Sequence, residues 1–440
     1  MLPAMAERWA VVGAGLTGLV AALRLSQAGR RVTVYERYPA PGGLVATFEV
    51  GGERLECFYH HVFTSDRELL ALAAELGLAG EIEWLPSRMG IFTAGRMWDF
   101  GTPASLLRFH PLPLADKVRF ALATLRLRQA RRPEPFEAVT AIAWLERHSG
   151  KRATEVVWRP LLEQKFAGKA DTVSMAWLWH NIHVRGRSRG RGGLDERLGL
   201  MRGSFGRLVE ALAARVVAAG GELRLAEPVR RIAPASAGVR VTTNRGEGVF
   251  DAALFTAAPS ELGRVLGEGS DADTRERLAG IDHTAAVCAV LELDRPLSPY
   301  YWLNVADAGM PFGGVIEHTN IVPAARYGGR HVVYLSKYMF ESHPLWSASA
   351  EAVWRAFAPH LPRINPAFSQ SWVLDRHCFK AANAQPVVTC AYTQRRPAFA
   401  TPVPGLFHAC MAQIYPEDRG QNYAIRLGAA AARRIMEETR

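Results

Sequence analysis

The chain has 440 residues, 49% of them apolar and 22% charged, which suits a globular protein with a full core and excludes a disordered or collagen-like polymer. Its formal net charge of +11 gives a positive field, so nucleic acid, an anionic membrane surface and a phosphorylated substrate are the anionic partners to weigh. No run reaches the roughly 18 uninterrupted apolar residues of a spanning helix.

Cys57, Cys288, Cys378, Cys390 and Cys410 form no C-x-x-C pair, which fits free thiols in a reducing compartment, the cytoplasm, and gives no metal site. The length prior of about 150 residues per domain implies two or three domains. The apolar stretch near the N-terminus is broken by glycines and Arg24, and it reads as a βα unit rather than a leader.

That unit runs from Trp9 to Glu36. Ala10 to Val12 is a buried-strand pattern, and Gly13, Gly15 and Gly18 follow in G-x-G-x-x-G spacing. An Ala/Leu-rich helix opens at Leu16 and Thr17, ends near Ala28 before Gly29, and a second strand covers Arg31 to Tyr35. The glycines serve a tight turn, close backbone approach to a pyrophosphate, and close helix packing; the helix aims its positive end at the phosphates. Glu36 falls where a carboxylate accepts hydrogen bonds from an adenosine ribose. Strand, helix, strand and acid in register predict a dinucleotide site.

The next segment, Arg37-Tyr-Pro-Ala-Pro-Gly-Gly-Leu-Val-Ala-Thr47, holds a second glycine pair. It is similar to the G-G segment of the flavin-dependent amine oxidase, phytoene desaturase and protoporphyrinogen oxidase superfamily. The resemblance implies that Arg37, Gly42, Gly43 and Leu44 lie along FAD, with the loop over the pyrophosphate and ribityl chain. Leu44 stands where many members have Arg, so one phosphate contact is missing or comes from elsewhere. A plain turn is the alternative for Pro-Gly-Gly.

Glu56 to Asp66 packs His60 and His61 between aromatics and resembles the histidine loop of UDP-galactopyranose mutases. The resemblance implies that one histidine meets flavin or substrate, with His61 inward and His60 behind it. A helix from Asp66 to Leu76 follows.

Residues 84–195 read as a mainly helical insertion, with helices at Asp116–Arg132 and Val139–His148. The first carries five arginines beside leucines, which suits either a solvated face or peripheral membrane contact. The tract Val184–Gly193 interleaves arginine with glycine but lacks aromatics for base stacking, so no specific nucleic-acid binding is expected.

From Gly203 the pattern returns to the dinucleotide domain. A helix to Ala219 and a strand Glu222–Leu225 lead to Pro228-Val229-Arg-Arg-Ile232, which resembles the superfamily segment whose backbone at Val229 meets adenine. A hairpin (Val239–Thr243, Gly248–Phe250) and a strand from Ala252 follow. Strands are expected at Ala285–Leu293, Gly313–Glu317, Val332–Tyr338 and Ser371–Phe379, with a helix at Ala350–Phe357. Lys337 is a candidate catalytic lysine there, although no motif fixes it beside a flavin.

The C-terminal segment Gly405–Ile435 resembles the closing flavin-binding motif of the same superfamily. It implies contacts from Met411, from Asn422 at a helix N-terminus, and from Asp418, which with Glu417 replaces an acid missing at Cys410-Met411. The expected fold is α/β, with a discontinuous Rossmann-type FAD-binding domain (1–83, 196–280, 396–440) and a mixed α+β substrate-binding lobe (84–195, helical; 281–395, sheet). The expected activity is FAD-dependent oxidation of a C–N or C–C bond of a small-molecule, lipophilic substrate by hydride transfer to the flavin. The alternatives are a redox-neutral flavin isomerase acting on a nucleotide-sugar and a non-catalytic FAD-binding protein. The sequence sets no oligomeric state.

Overall fold

An apolar run without alternation is a strand covered on both faces, and β1 (Arg8–Val12) is one, with Trp9 to Val12 buried. Helix α1 (Leu16–Gln27) and β2 (Arg31–Tyr35) follow as expected. The computed structural model describes residues 7–188, 196–267 and 272–438. After β2 come the hairpin β3 (Thr47–Val50) and β4 (Glu53–Glu56), helix α2 (Arg67–Glu75), and strands β5 (Ile82–Pro86), β6 (Met89–Thr93) and β7 (Arg96–Asp99).

Helices α3 (Pro103–Leu107) and α4 (Leu114–Gln129) open the helical stretch. β8 (Arg197–Met201), β9 (Glu222–Arg224), β10 (Val229–Ala235), β11 (Gly238–Thr243), β12 (Glu247–Phe250) and β13 (Ala252–Phe255) come next. The remaining strands are β14 (His283–Leu293), β15 (Trp302–Val305), β16 (Gly314–Glu317), β17 (His331–Met339), β18 (Val373–Pro386) and β19 (Leu406–His408). The helix Gln421–Glu438 follows β19.

The fold is α/β. A parallel five-stranded sheet runs in the order β19-β13-β1-β2-β9, so strands from three distant parts of the chain meet in it. The order reverses beside β1, and in such sheets a ligand binds at the strand ends where this happens. A mixed seven-stranded sheet has the order β18-β14-β17-β16-β15-β6-β7.

Residues 84–195, expected to be mainly helical, also contain a β-hairpin. β6 and β7 form it and join the seven-stranded sheet, β6 in parallel with β15. β7 pairs with its neighbour β6, while β15, which ties this hairpin into the sheet, comes from far along the chain. The strand expected at Ser371–Phe379 starts at Val373 and runs on to Pro386. Of the arginine–glycine tract, residues 184–188 continue the helix Met175–Ser188, and 189–193 fall outside the described residues.

Candidate functional site

The three glycines after β1 have three separate physical reasons. Gly13 has φ +108°, and a Cβ on it would sit 2.5 Å from Thr256 Oγ1. A Cβ on Gly18 would lie 1.9 Å from the Gly13 carbonyl oxygen, so Gly18 lets α1 leave the strand closely. Gly15 differs: its φ is −77° and a Cβ there meets no atom within 4 Å. Nothing in the protein requires glycine at 15. Its bare backbone leaves room for close approach from outside.

Gly15 is also the N-cap of α1 and makes no side-chain cap bond, so the amides of Leu16 and Thr17 open on the same space. The Pro-Gly-Gly turn folds over it. Gly42 N donates to Ala14 O at 2.9 Å, and a Cβ on Gly43 would come within 3.5 Å of Gly15 Cα. Leu44 sits in the short 3-10 turn that follows, half-buried.

Glu36 is buried at the end of β2. Its carboxylate accepts from Ala14 N at 2.8 Å and from Tyr38 N at 3.0 Å, so it braces the glycine turn and keeps lone pairs for a further donor. Arg37 pairs with Glu261 at 2.9 Å. Val229 reaches this end because Glu227 N donates to Glu36 O at 2.8 Å just before β10 begins.

The C-terminal helix completes the cradle from the other side. Asn422 Oδ1 accepts from Glu68 N at 2.9 Å and Leu69 N at 3.1 Å, so its side chain caps α2. The residue that faces an unfilled demand is its neighbour Gln421, which sequence reading missed. Gln421 is 7% exposed, and neither amide atom has a hydrogen-bond partner. A buried primary amide without partners is costly, and it fits a ligand edge with both a donor and an acceptor, as a flavin pyrimidine ring has. Met411 lies in the 3-10 turn Met411–Gln413, partly buried.

Asp418, expected at the ribityl chain, also bonds within the protein. It accepts from Lys165 Nζ at 2.7 Å and Trp177 Nε1 at 3.2 Å, tying this loop to the helices Arg159–Phe166 and Met175–Ser188. Burial pushes its carboxyl up, but Lys165 and Arg419 outweigh that and hold it below the usual range. Glu417 pairs with Arg426. Both acids are paired with cations, Asp418 with one from far along the chain.

Arg419 was also missed. It donates to Tyr338 Oη at 2.6 Å, its Nε is buried without a partner, and it makes no ion pair among the described residues. Tyr338, Ser336 and Tyr334 share one face of β17, and Tyr59 Oη lies 3.2 Å from Ser336 Oγ. This cluster brings the histidine loop, β17 and the start of the C-terminal helix to one place.

His60 Nδ1 donates to the Phe58 carbonyl at 2.6 Å, which leaves Nε2 as an acceptor. Burial lowers its pKa to about 4, and the nearby Arg419 charge adds to this. His61 packs edge-on to Phe63, Tyr301 and Trp302; burial lowers it to about 3, and its Nδ1 has no partner. Both are neutral imidazoles at neutral pH, and adjacent positions give them different neighbours.

Lys337 lies away from this cluster. Alternation along β17 puts it with Val333, Leu335 and Met339, which pack into the core holding Val353 and Phe357, on the face opposite Tyr338. Burial lowers its pKa, but it does not share the cluster of Tyr59, Arg419 and the histidines. Glu292, Asp375 and His377 are close enough to hold an ion, yet Glu292 already bonds Arg330 and His377, so this reads as charge pairing.

A profile of the flavin containing amine oxidoreductases matches residues 16–436. The putative flavin-containing monoamine oxidase AofH of Mycobacterium tuberculosis is 25% identical over 280 residues, 57% of this chain and 56% of that protein. The chain thus spans about half the length of this curated relative. A putative protoporphyrinogen oxidase from Exiguobacterium sp. 255-15 superposes with a TM-score of 0.79 at 18% identity, covering 98% of this chain and 99% of the other. Reduced UDP-galactopyranose mutase superposes with a TM-score of 0.75 at 15% identity, covering 98% and 96%. At such identities the superpositions establish the fold.

Proposed function

The chain belongs to the flavin-containing amine oxidoreductases, and on that premise we propose that it is an FAD-dependent oxidoreductase removing hydride from a C–N or C–C bond of a small, lipophilic molecule. The observation that carries the cofactor assignment is Gly15, an open backbone position at the N-terminus of α1 where a phosphate can approach closely. Bound FAD would supply the hydride acceptor. Gly13, Gly15, Leu16, Thr17 and Gly18 with Gly42 and Gly43 would hold its pyrophosphate, Glu36 its ribose, and Gln421 with the amides of the C-terminal helix its pyrimidine edge.

The remaining residues set the environment of the reacting bond. The neutral His61 keeps an unpartnered Nδ1, Tyr59 and Tyr338 offer hydroxyls, and Arg419 supplies fixed positive charge. Tyr301, Trp302 and Phe63 around His61 would exclude water. In this reading the cofactor lobe takes residues 1–83, 196–280 and 396–440, and the rest forms the substrate lobe. The five free cysteines support a reducing, cytoplasmic setting, and peripheral membrane contact is part of the same proposal.

An anaerobic single turnover tests the reaction class. An amine or alkene-forming substrate should leave the flavin reduced until an acceptor is added. A spectrum that returns to its starting form within the turnover would establish the redox-neutral isomerase instead.

A further inference from the structure

Helix α4 carries apolar residues on two opposite sides. Phe120, Ala123 and Leu127 are buried against the helical core. Leu114, Val118, Leu122 and Leu125 follow a spacing of four, four and three residues, which is one stripe on a helix of 3.6 residues per turn, turned away from the buried side. These four, with Leu107 on the adjoining α3, are between 49% and 67% exposed. Among the described residues, the other exposed large apolar side chains are Tyr38, Val217, Val249 and Leu374, scattered over separate elements. Among the described residues, α3 and α4 alone gather such side chains on one surface.

The charges beside the stripe are of one sign. Helical geometry puts Arg119 and Arg126 along one edge, and Lys117 and Arg128 along the other. Arg108, Arg126 and Arg128 make no ion pair among the described residues, while Lys117 donates to the Leu107 carbonyl at 2.6 Å and holds α3 against α4. The one acid of α4, Asp116, lies on the inner side, where its carboxylate and the Arg119 guanidinium both approach Gly150. An exposed leucine stripe flanked by cations alone is complementary to a surface that is apolar inside and anionic outside.

We propose that α3 and α4 dock this protein on an anionic lipid bilayer, lying in the plane of the interface with Leu107, Leu114, Val118, Leu122 and Leu125 among the acyl chains. Arg108, Arg126 and Arg128 meet lipid phosphates. This rests on the membrane contact proposed above and not on the flavin chemistry. A second copy of the chain is the competing occupant, but two such faces would bring like charges together, so the lipid surface is favoured.

The test is co-flotation of the FAD-loaded protein with phosphatidylglycerol/phosphatidylcholine vesicles and with phosphatidylcholine vesicles alone. The wild type should float with the anionic vesicles and release as salt rises from about 0.1 M to about 1 M, where charge is screened. A variant with Leu114→Ser, Val118→Ser, Leu122→Ser and Leu125→Ser should lose at least about tenfold in binding, since apolar insertion is gone. Its circular dichroism and flavin content should match the wild type, because these side chains support no core. Arg126→Glu with Arg128→Glu should abolish the preference for anionic lipid.

Wild type that floats with neither vesicle overturns membrane contact altogether. Wild type that floats while the serine variant floats equally well leaves membrane contact standing and overturns this face. Equal binding to both vesicle types overturns the anionic choice. A wild-type dimer by light scattering that the serine variant turns into a monomer, without vesicle binding by either, assigns the face to a second copy and overturns the proposal.

Discussion

Gly428 in the C-terminal helix rests directly on Thr17 in the first helix: a Cβ at 428 would lie 2.4 Å from the Thr17 carbonyl oxygen. Thr17 Oγ1 donates to Ala424 O at 3.2 Å one turn away, so the two helices touch through backbone. This contact sets the start of the C-terminal helix, and with it Gln421, relative to the glycine turn. Gly428→Ala should therefore cost about 1–3 kcal/mol, the usual price of overpacking, and also lower flavin content. Chemical denaturation and the flavin-to-protein ratio read the two effects; an unchanged pair of values would mean that the helices do not need this approach.

Gly15→Val should leave a folded protein without flavin. The backbone there, φ −77° and ψ 177°, is one that valine adopts, and its Cβ meets open space. A stable but yellow Gly15→Val protein would remove the basis for placing the pyrophosphate at this turn.

FAD should be held without a covalent bond. Cys410 is the thiol within the closing segment, and burial pushes its pKa up to about 12, so it stays a thiol and a poor nucleophile. Acid precipitation should release the yellow colour to the supernatant. Colour retained in the pellet, and lost in Cys410→Ser, would show the reverse.

Glu56 should make stability depend on pH. It is buried with one bond to its side chain, from Phe205 N, and burial raises its pKa from 4.5 to about 7. The folded state therefore binds this proton more tightly than the unfolded chain. Its stabilising effect is full below about pH 4.5 and is lost as pH rises through about 7. Glu56→Gln keeps an acceptor for Phe205 and cannot ionise, so it should gain about 1–3 kcal/mol over wild type at pH 8 and little at acid pH. Melting curves at both ends of that range check the sign; a variant less stable at pH 8 would refute it.

His61→Ala should alter the flavin absorption band or its reduction rate with FAD content kept, because His61 Nδ1 has no protein partner to lose. His60→Ala removes the bond to Phe58 and should cost about 1 kcal/mol. Lys337→Met, on the far face of β17, should leave the reduction rate as it is. Stopped-flow reduction of the three variants separates these outcomes. A silent His61 variant beside a slowed Lys337 variant would reverse the assignment of the two sheet faces.

What the sequence determined by itself is what short range controls. The apolar run of β1, the glycine spacing, the helix breakers and the acid at Glu36 are all read within one βα unit, where period and turn chemistry are local. The hairpin of β11 and β12 and the helix Ala350–Phe357 were legible for the same reason.

The tertiary structure alone decided which distant groups meet. β6 pairs with β15, Lys165 takes Asp418, Asn422 caps α2, and Gln421 is left as the unpartnered amide. That Lys337 and Tyr338 lie on opposite faces of β17, with Lys337 towards the core of Val353 and Phe357, was decided by the sheet's packing. The outer stripe of α4 was hidden for a related reason. Apolar residues on both sides blur the helical period, and only the packed core shows which of the two sides is already covered.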